Sequence, residues 1–191
     1  MERFGCITNL FPLMSKTREF LGAKKLRITL RRLAHQIVEN YGDFSDTVFL
    51  ALQPRGIEFA EQLYREIENI KPGCELKTGK LDITFFRDDF RNKALSANKT
   101  DIPHLLENNK VVLIDDVLYT GRSIRAALDA MLSYGRPSKV ELMVLIDRRF
   151  QRELPIQPTF VGHKIDSVST EYVEVQWAES DFKVTITSKE A

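Results

Sequence analysis

Val111 to Ser123 reads VVLIDDVLYTGRS and sets an apolar run directly against two carboxylates. Val111, Val112, Leu113 and Ile114 include three β-branched residues and call for burial as a strand. Successive side chains on a strand point to opposite faces, and a parallel sheet is covered on both. Two ionised carboxylates inside it would each carry a large desolvation cost. Asp115 and Asp116 are therefore expected at the strand's carboxyl end, where ligands sit in open α/β sheets. Val117, Leu118 and Tyr119 step from the acids to Thr120, Gly121, Arg122 and Ser123, and Ile124, Ala127, Leu128 and Met131 then keep helical phase. A turn leading into a helix presents unpaired amides and partial positive charge, and glycine permits close approach, so T-G-R-S is a phosphate cradle. The Thr120 and Ser123 hydroxyls and the Arg122 guanidinium add donors. Paired acids beside such a cradle suit a sugar phosphate, the diol on the acids and the phosphate in the turn.

Outward from this stretch the chain alternates strand and helix. Leu26, Leu30, Leu33 and Ile37 line one face of a helix that ends near Tyr41–Gly42. VFLALQ (48–53) reads as a buried strand, 54–70 as a helix, GKLDITFF (79–86) as an alternating strand, and KVELMVLI (139–146) as another buried strand. Residues 87–109 are polar and rich in Asn and Lys, the composition of a long binding loop or lid. TFVGH, EYVEVQW and KVTITS supply short C-terminal strands. The order predicts an α/β fold, a mainly parallel sheet flanked by helices with a smaller β-rich extension. At 191 residues one domain is expected, over 22–191, with 1–21 as an N-terminal arm or tail.

Composition narrows the function classes. The 28 basic and 27 acidic residues leave a formal charge of +1, so no global field draws the chain to nucleic acid or membrane. Cys6 and Cys74 have no pairing motif, which fits a reducing, cytoplasmic setting. The first twenty residues lack a signal-peptide core, and no apolar run reaches transmembrane length. His35, His104 and His163 have no metal-ligand spacing, and Trp177 reads as a packing residue.

The run from buried strand through two acids and T-G-R-S to a helix resembles the ribose-phosphate signature of the type I phosphoribosyltransferases. D-I-T-F-F-R-D-D (82–89), R-G-I (55–57) and R-E-L-P-I (152–156) extend the resemblance to the PyrR family, pyrimidine operon regulators that are also uracil phosphoribosyltransferases. It covers about residues 22–180.

The resemblance implies the type I fold with a small β-rich hood, and formation of UMP from uracil and 5-phosphoribosyl 1-diphosphate with Mg2+. By the same resemblance Asp115 and Asp116 hold the ribose hydroxyls directly or through the metal, within a substrate-contacting run that includes Val117, Leu118 and Tyr119. Thr120, Gly121, Arg122 and Ser123 hold the 5-phosphate; Pro54, Arg55 and Gly56 form the diphosphate loop. Arg87 and Asp88 open the cover that closes over the leaving group, with Arg87 stabilising its charge; Arg148 and Val161 fall in the base-recognition hood. Pro54 stands where the family has a non-proline residue, and a cis Gln53–Pro54 bond is expected because a tertiary amide adopts cis readily. The resembled proteins form dimers that assemble further.

For RNA, Lys24, Arg27, Arg31, Arg32 and His35 fall on one side of the first helix at helical spacing and offer phosphate contacts to a pyrimidine-operon leader. A solvated helix face is the simpler explanation of such a stripe and outweighs the RNA reading. Arg31 replaces the family's small hydroxyl residue, and 148–152 departs from its usual D-R-G-H-R-E-L-P. Three readings follow: a working uracil phosphoribosyltransferase that also regulates through mRNA, an RNA-binding attenuator with weak or no catalysis, and a phosphoribosyltransferase for another base.

Overall fold

Alternation along the apolar strands sorts the core into two layers. The structure, a computed structural model, describes residues 15–87, 98–178 and 182–189. Strands β2 (Thr47–Leu52), β3 (Lys77–Leu81), β4 (Lys110–Leu118), β5 (Lys139–Arg148) and β6 (Phe160–Ile165) form an all-parallel sheet in the order β3-β2-β4-β5-β6. Phe49, Ala51, Val112, Ile114, Met143 and Leu145 point to one face, where they meet helices α1 (Ala23–Tyr41) and α2 (Gly56–Ile70). Val48, Leu50, Leu52, Val111, Leu113, Leu142 and Val144 point to the other, under helix α3 (Arg122–Met131). The period-2 strands and the period-3.6 helices thus close one core on each side of the sheet.

A second sheet, antiparallel in the order β1-β8-β7, is built from Ser15–Leu21, Glu171–Trp177 and Phe182–Lys189 as β1, β7 and β8. Its Val173, Val184 and Ile186 join the core beneath α1 and α2, and Trp177 stacks on Phe59 of α2 with ring centroids 6.2 Å apart. No helix is long and apolar enough to cross a membrane among the described residues.

Four expectations are corrected. Ser15–Leu21 is a paired strand rather than a tail; it lies at the sheet's edge with Lys16 to Glu19 exposed, so it shows no apolar period. TFVGH belongs to the parallel sheet as β6 and not to the small extension, because Phe160, Gly162 and Ile165 are buried along β5 and α1. The strand expected over 79–86 stops at Leu81. Asp82 Oδ1 there accepts from the Thr84 amide at 3.2 Å and the Thr84 hydroxyl at 2.6 Å, folding the chain into a 3-10 turn at Thr84–Phe86. The loop expected over 87–109 packs again in its second part: Asp101 exchanges backbone hydrogen bonds with Lys80, and Leu106 is fully buried.

Candidate functional site

Strand β4 outruns its neighbour on one side. Against β2 the register ends at Ala51↔Ile114, whereas against β5 it continues to Leu118↔Asp147. Asp115 and Asp116 thus lie at the strand's carboxyl end, in its last four residues, on backbone that has lost its β2 partner. Alternation sends Asp115 toward the α3 side and Asp116 toward α2. Each carboxylate accepts the next residue's amide, Asp116 N at 3.0 Å and Val117 N at 2.7 Å, which fixes their orientation.

Burial pushes the Asp115 carboxyl well above the usual carboxylate range, and the charge of Asp116 adds to that push. Asp116, 5 % exposed, is raised by burial as well, and the Arg55 guanidinium draws it partly back. Two carboxyls raised by burial, with the Arg55 charge only partly offsetting it, suit a cation or hydroxyl donors.

Two cavities adjoin the pair. The first, about 390 Å³, is lined by Pro54, Arg55, Arg87, both acids, Tyr119, Arg148 and Tyr172 among others. The second, about 280 Å³, lies against the turn Thr120–Ser123 and shares Arg87, Asp115, Val117, Tyr119 and Ser123 with the first. Gly121 caps α3 at φ 93°, a left-handed conformation that glycine adopts without strain. Helix α3 directs its first-turn amides at the second cavity, and the Thr120 hydroxyl takes up the Arg122 amide at 3.4 Å.

The predicted residues fall as follows. Val117, Leu118, Tyr119, Thr120, Gly121, Arg122 and Ser123 all line the second cavity, Val117 and Tyr119 with their faces on both. Arg122 donates to Glu153 at 2.6 Å. Arg87 Nη1 donates to the Ser123 hydroxyl at 3.2 Å, so it bridges the loop end and the Thr120–Ser123 turn. Pro54 follows a cis peptide, as expected, and Arg55 opens α2. Gly56 is buried against β4 rather than lining a cavity: a Cβ there would stand 2.5 Å from the Ile114 carbonyl oxygen. Asp88 lies outside the described residues.

Arg148 and Val161 are placed differently from the expected base contacts. Arg148 lines the first cavity, but its guanidinium is held by the Ser167 hydroxyl at 2.7 Å and the Val168 and Glu171 carbonyls at 3.1 and 2.9 Å. It also lies 4.0 Å from the centroid of the Tyr119 ring. Val161 lines neither cavity; it pairs with Val144 in β6 and packs on the α3-side core.

The basic stripe divides. Arg32 donates to the Val161 and Gly162 carbonyls at 3.1 and 2.6 Å, and Arg27 lies 5.7 Å over the Phe182 ring. Arg31 and His35 line a shallow groove with Glu66, Asn69 and Ile70 of α2, while Lys24 is exposed.

Sequence reasoning missed the residues that hold the site in shape. Asp82 Oδ2 accepts the Asn98 amide at 3.0 Å while its other oxygen serves Thr84, tying both ends of the segment between them. In R-E-L-P-I, Arg152 donates to the Tyr119 carbonyl at 2.7 Å and to Asp147, while the Glu153 and Leu154 amides reach the Thr120 carbonyl. The motif was visible and its structural use was not. Tyr172 had no signal, since its partner Arg55 is 117 residues away.

This is the fold of the phosphoribosyl transferase domain family, whose model matches residues 17–184, and the chain belongs to that family. Among solved structures, the hypoxanthine phosphoribosyltransferase of Trypanosoma cruzi superposes with a TM-score of 0.68 at 14% identity, covering 91% of this chain and 97% of that one. That of Staphylococcus aureus gives 0.62 at 21%, covering 78% and 77%. Within it the chain belongs to the PyrR family. It is 46% identical over 164 residues to the bifunctional protein PyrR of Picosynechococcus sp., covering 85% of this chain and 92% of the relative. To that of Brevibacillus brevis it is 44% identical, covering 82% and 87%.

Proposed function

We propose that this chain transfers the 5-phosphoribosyl group of 5-phosphoribosyl 1-diphosphate to uracil, forming UMP and diphosphate. The observation that carries this reading is the placement of Asp115 and Asp116 on the unpaired flank of β4, between a phosphate-binding turn and the Arg55 loop. The 5-phosphate occupies the turn Thr120–Ser123, the ribose diol lies on the two acids, and the diphosphate extends toward Arg55 and Arg87. Bond breaking at the anomeric carbon leaves positive charge on the ring and negative charge on the departing diphosphate. The buried acids face the first, and the two guanidiniums the second. A uracil nitrogen forms the new C–N bond and gives its proton to solvent or diphosphate.

The donor set fits magnesium. Two adjacent carboxylate oxygens suit a hard cation, and among the described residues no cluster of three or more His, Cys, Asp or Glu builds a complete cage. Such an ion would supply charge neutralisation for the departing diphosphate. Asp115 and Asp116 would hold it.

The relatives named PyrR support uracil over another base, and the chain is further proposed to regulate pyrimidine gene expression through leader RNA, acting in the cytoplasm as a homodimer or larger assembly. Arg31 and His35 are the exposed members of the basic stripe that line the α1–α2 groove, so they carry the RNA contact in this reading. Incubating the protein with uracil, Mg2+ and the ribosyl diphosphate tests the first activity; folded protein that makes no UMP overturns it. Filter binding to leader and scrambled RNA, with and without UMP, tests the second, and equal affinity for both RNAs overturns it.

A further inference from the structure

Five side chains from four separate parts of the chain line the first cavity and are linked by contacts, by the backbone at the start of β7 and by charge. Tyr119 of the phosphate turn lies under the Arg148 guanidinium. Arg148 in turn holds the carbonyls of Val168 and Glu171, the turn and first residue of β7. The next residue, Tyr172, accepts a hydrogen bond from Arg55 Nη2 at 2.8 Å, with its ring centroid 5.9 Å from the guanidinium carbon. Arg55 opens α2 and faces Asp116. All five line the same cavity. Arg55 is exposed, and a long side chain on an exposed turn has many rotamers. Tyr172, itself 47 % exposed, removes most of that freedom without using the remaining guanidinium N–H groups.

We propose that Tyr172 is a positioning residue that holds Arg55 in the orientation required to take the diphosphate, and that Arg148 acts through Tyr172 by fixing the start of β7. The proposal rests on the reading of the cavity as a ribosyl diphosphate site. It assigns to the small antiparallel sheet a task at the leaving group: β7 reaches across to the diphosphate loop. It also explains why Arg148 is buried at 4 % exposure with its hydrogen bonds directed at the Ser167–Glu171 turn.

Tyr172→Phe keeps the ring over Arg55 and removes the oxygen that accepts its hydrogen bond. Wild-type and variant protein are titrated with inorganic diphosphate and, separately, with UMP, and KM for the ribosyl diphosphate is measured beside kcat. Freeing one rotamer-rich side chain weakens diphosphate binding and raises this KM by about 3- to 10-fold. UMP, which lacks the diphosphate, binds within about twofold of wild type. In an Arg55→Ala background, Tyr172→Phe leaves diphosphate binding where Arg55→Ala alone puts it. Equal weakening of diphosphate and UMP, an unchanged diphosphate affinity, or additive effects in the double variant each overturn the proposal. Wild-type protein that makes no UMP and binds neither ligand overturns the underlying reading of the cavity instead. Tyr172→Leu, which also removes the ring, weakens diphosphate at least as much as Tyr172→Phe; a smaller effect counts against the proposal.

Discussion

Replacing Gly56 by alanine sets two effects of opposite sign against each other. Alanine is the better helix former by up to about 1 kcal/mol, and Gly56 is the first residue of α2. The new Cβ would stand 2.5 Å from the Ile114 carbonyl oxygen and 3.3 Å from the Asp115 Cα. Comfortable contact requires roughly 3.5 Å, so helix and strand must separate by roughly 1 Å. Neither yields easily, because β4 is clamped between β2 and β5 and the obstacle is backbone. Overpacking of this kind costs about 1–3 kcal/mol and outweighs the helical gain. A net loss near 1–2 kcal/mol lowers Tm by about 2–8 °C in a chain of this size. The carbonyl displaced belongs to the residue before Asp115, so the shift carries to the paired acids, and a misplacement near 1 Å costs on the order of 10²-fold in turnover. Gly56→Ala is therefore expected to melt a few degrees early and to form UMP about a hundredfold more slowly. Differential scanning fluorimetry and a UMP-formation assay read the two quantities. A variant with wild-type melting and wild-type rate would refute the packing account, while lost activity with unchanged melting would make Gly56 a ligand contact instead.

The paired acids predict an unusual pH profile. Both folded pKa values are raised, so the folded state holds protons more tightly than the unfolded chain, and stability falls as pH rises from the ordinary carboxylate range through the raised values. Asp115→Asn is expected to flatten that decline above the ordinary carboxylate range in the ligand-free protein and to abolish UMP formation; parallel melting curves for variant and wild type would contradict the assignment. Arg152→Met leaves the nearly buried Asp147 without its ion-pair partner at a cost of about 3 kcal/mol, read as a lower urea midpoint, and weakens UMP binding by loosening the Tyr119 carbonyl. An unchanged midpoint would show that the pair contributes nothing. Asp82→Ala unties Thr84 from Asn98 at a cost of about 1–3 kcal/mol and is expected to speed amide exchange at both residues and raise KM for the ribosyl diphosphate; unchanged exchange protection would count against the tie.

The nucleus of the fold was legible because it is local. A β-branched run, two acids, a glycine turn and an amphipathic helix lie within about twenty residues, and each signals its own conformation. What stayed hidden depends on partners distant in sequence. Lys16 to Glu19 are exposed and show no apolar period, and Ser15–Leu21 becomes a strand only because β8 offers it an edge. The alternation at 79–86 is broken by a side chain folding onto its own backbone, a choice that hydropathy does not register. TFVGH could join either sheet on pattern alone, and contact with β5 and α1 decided it. At the site, the type of each ligand-facing residue announced itself, whereas the supports did not. Arg152, Asp82 and Tyr172 are ordinary polar residues until the chain brings their partners within 3 Å. The extra reach of β4 past β2 is likewise a property of two strands, unreadable from either one.

The Arg32 guanidinium on the carbonyls of Val161 and Gly162 sits at one margin of the parallel sheet, and at the opposite margin Asp101 takes up the backbone of Lys80. Each contact occupies part of an outer strand's free backbone, so an incoming extended segment would have to displace it before pairing there. Edge-to-edge growth of the parallel sheet is thereby disfavoured at those two positions.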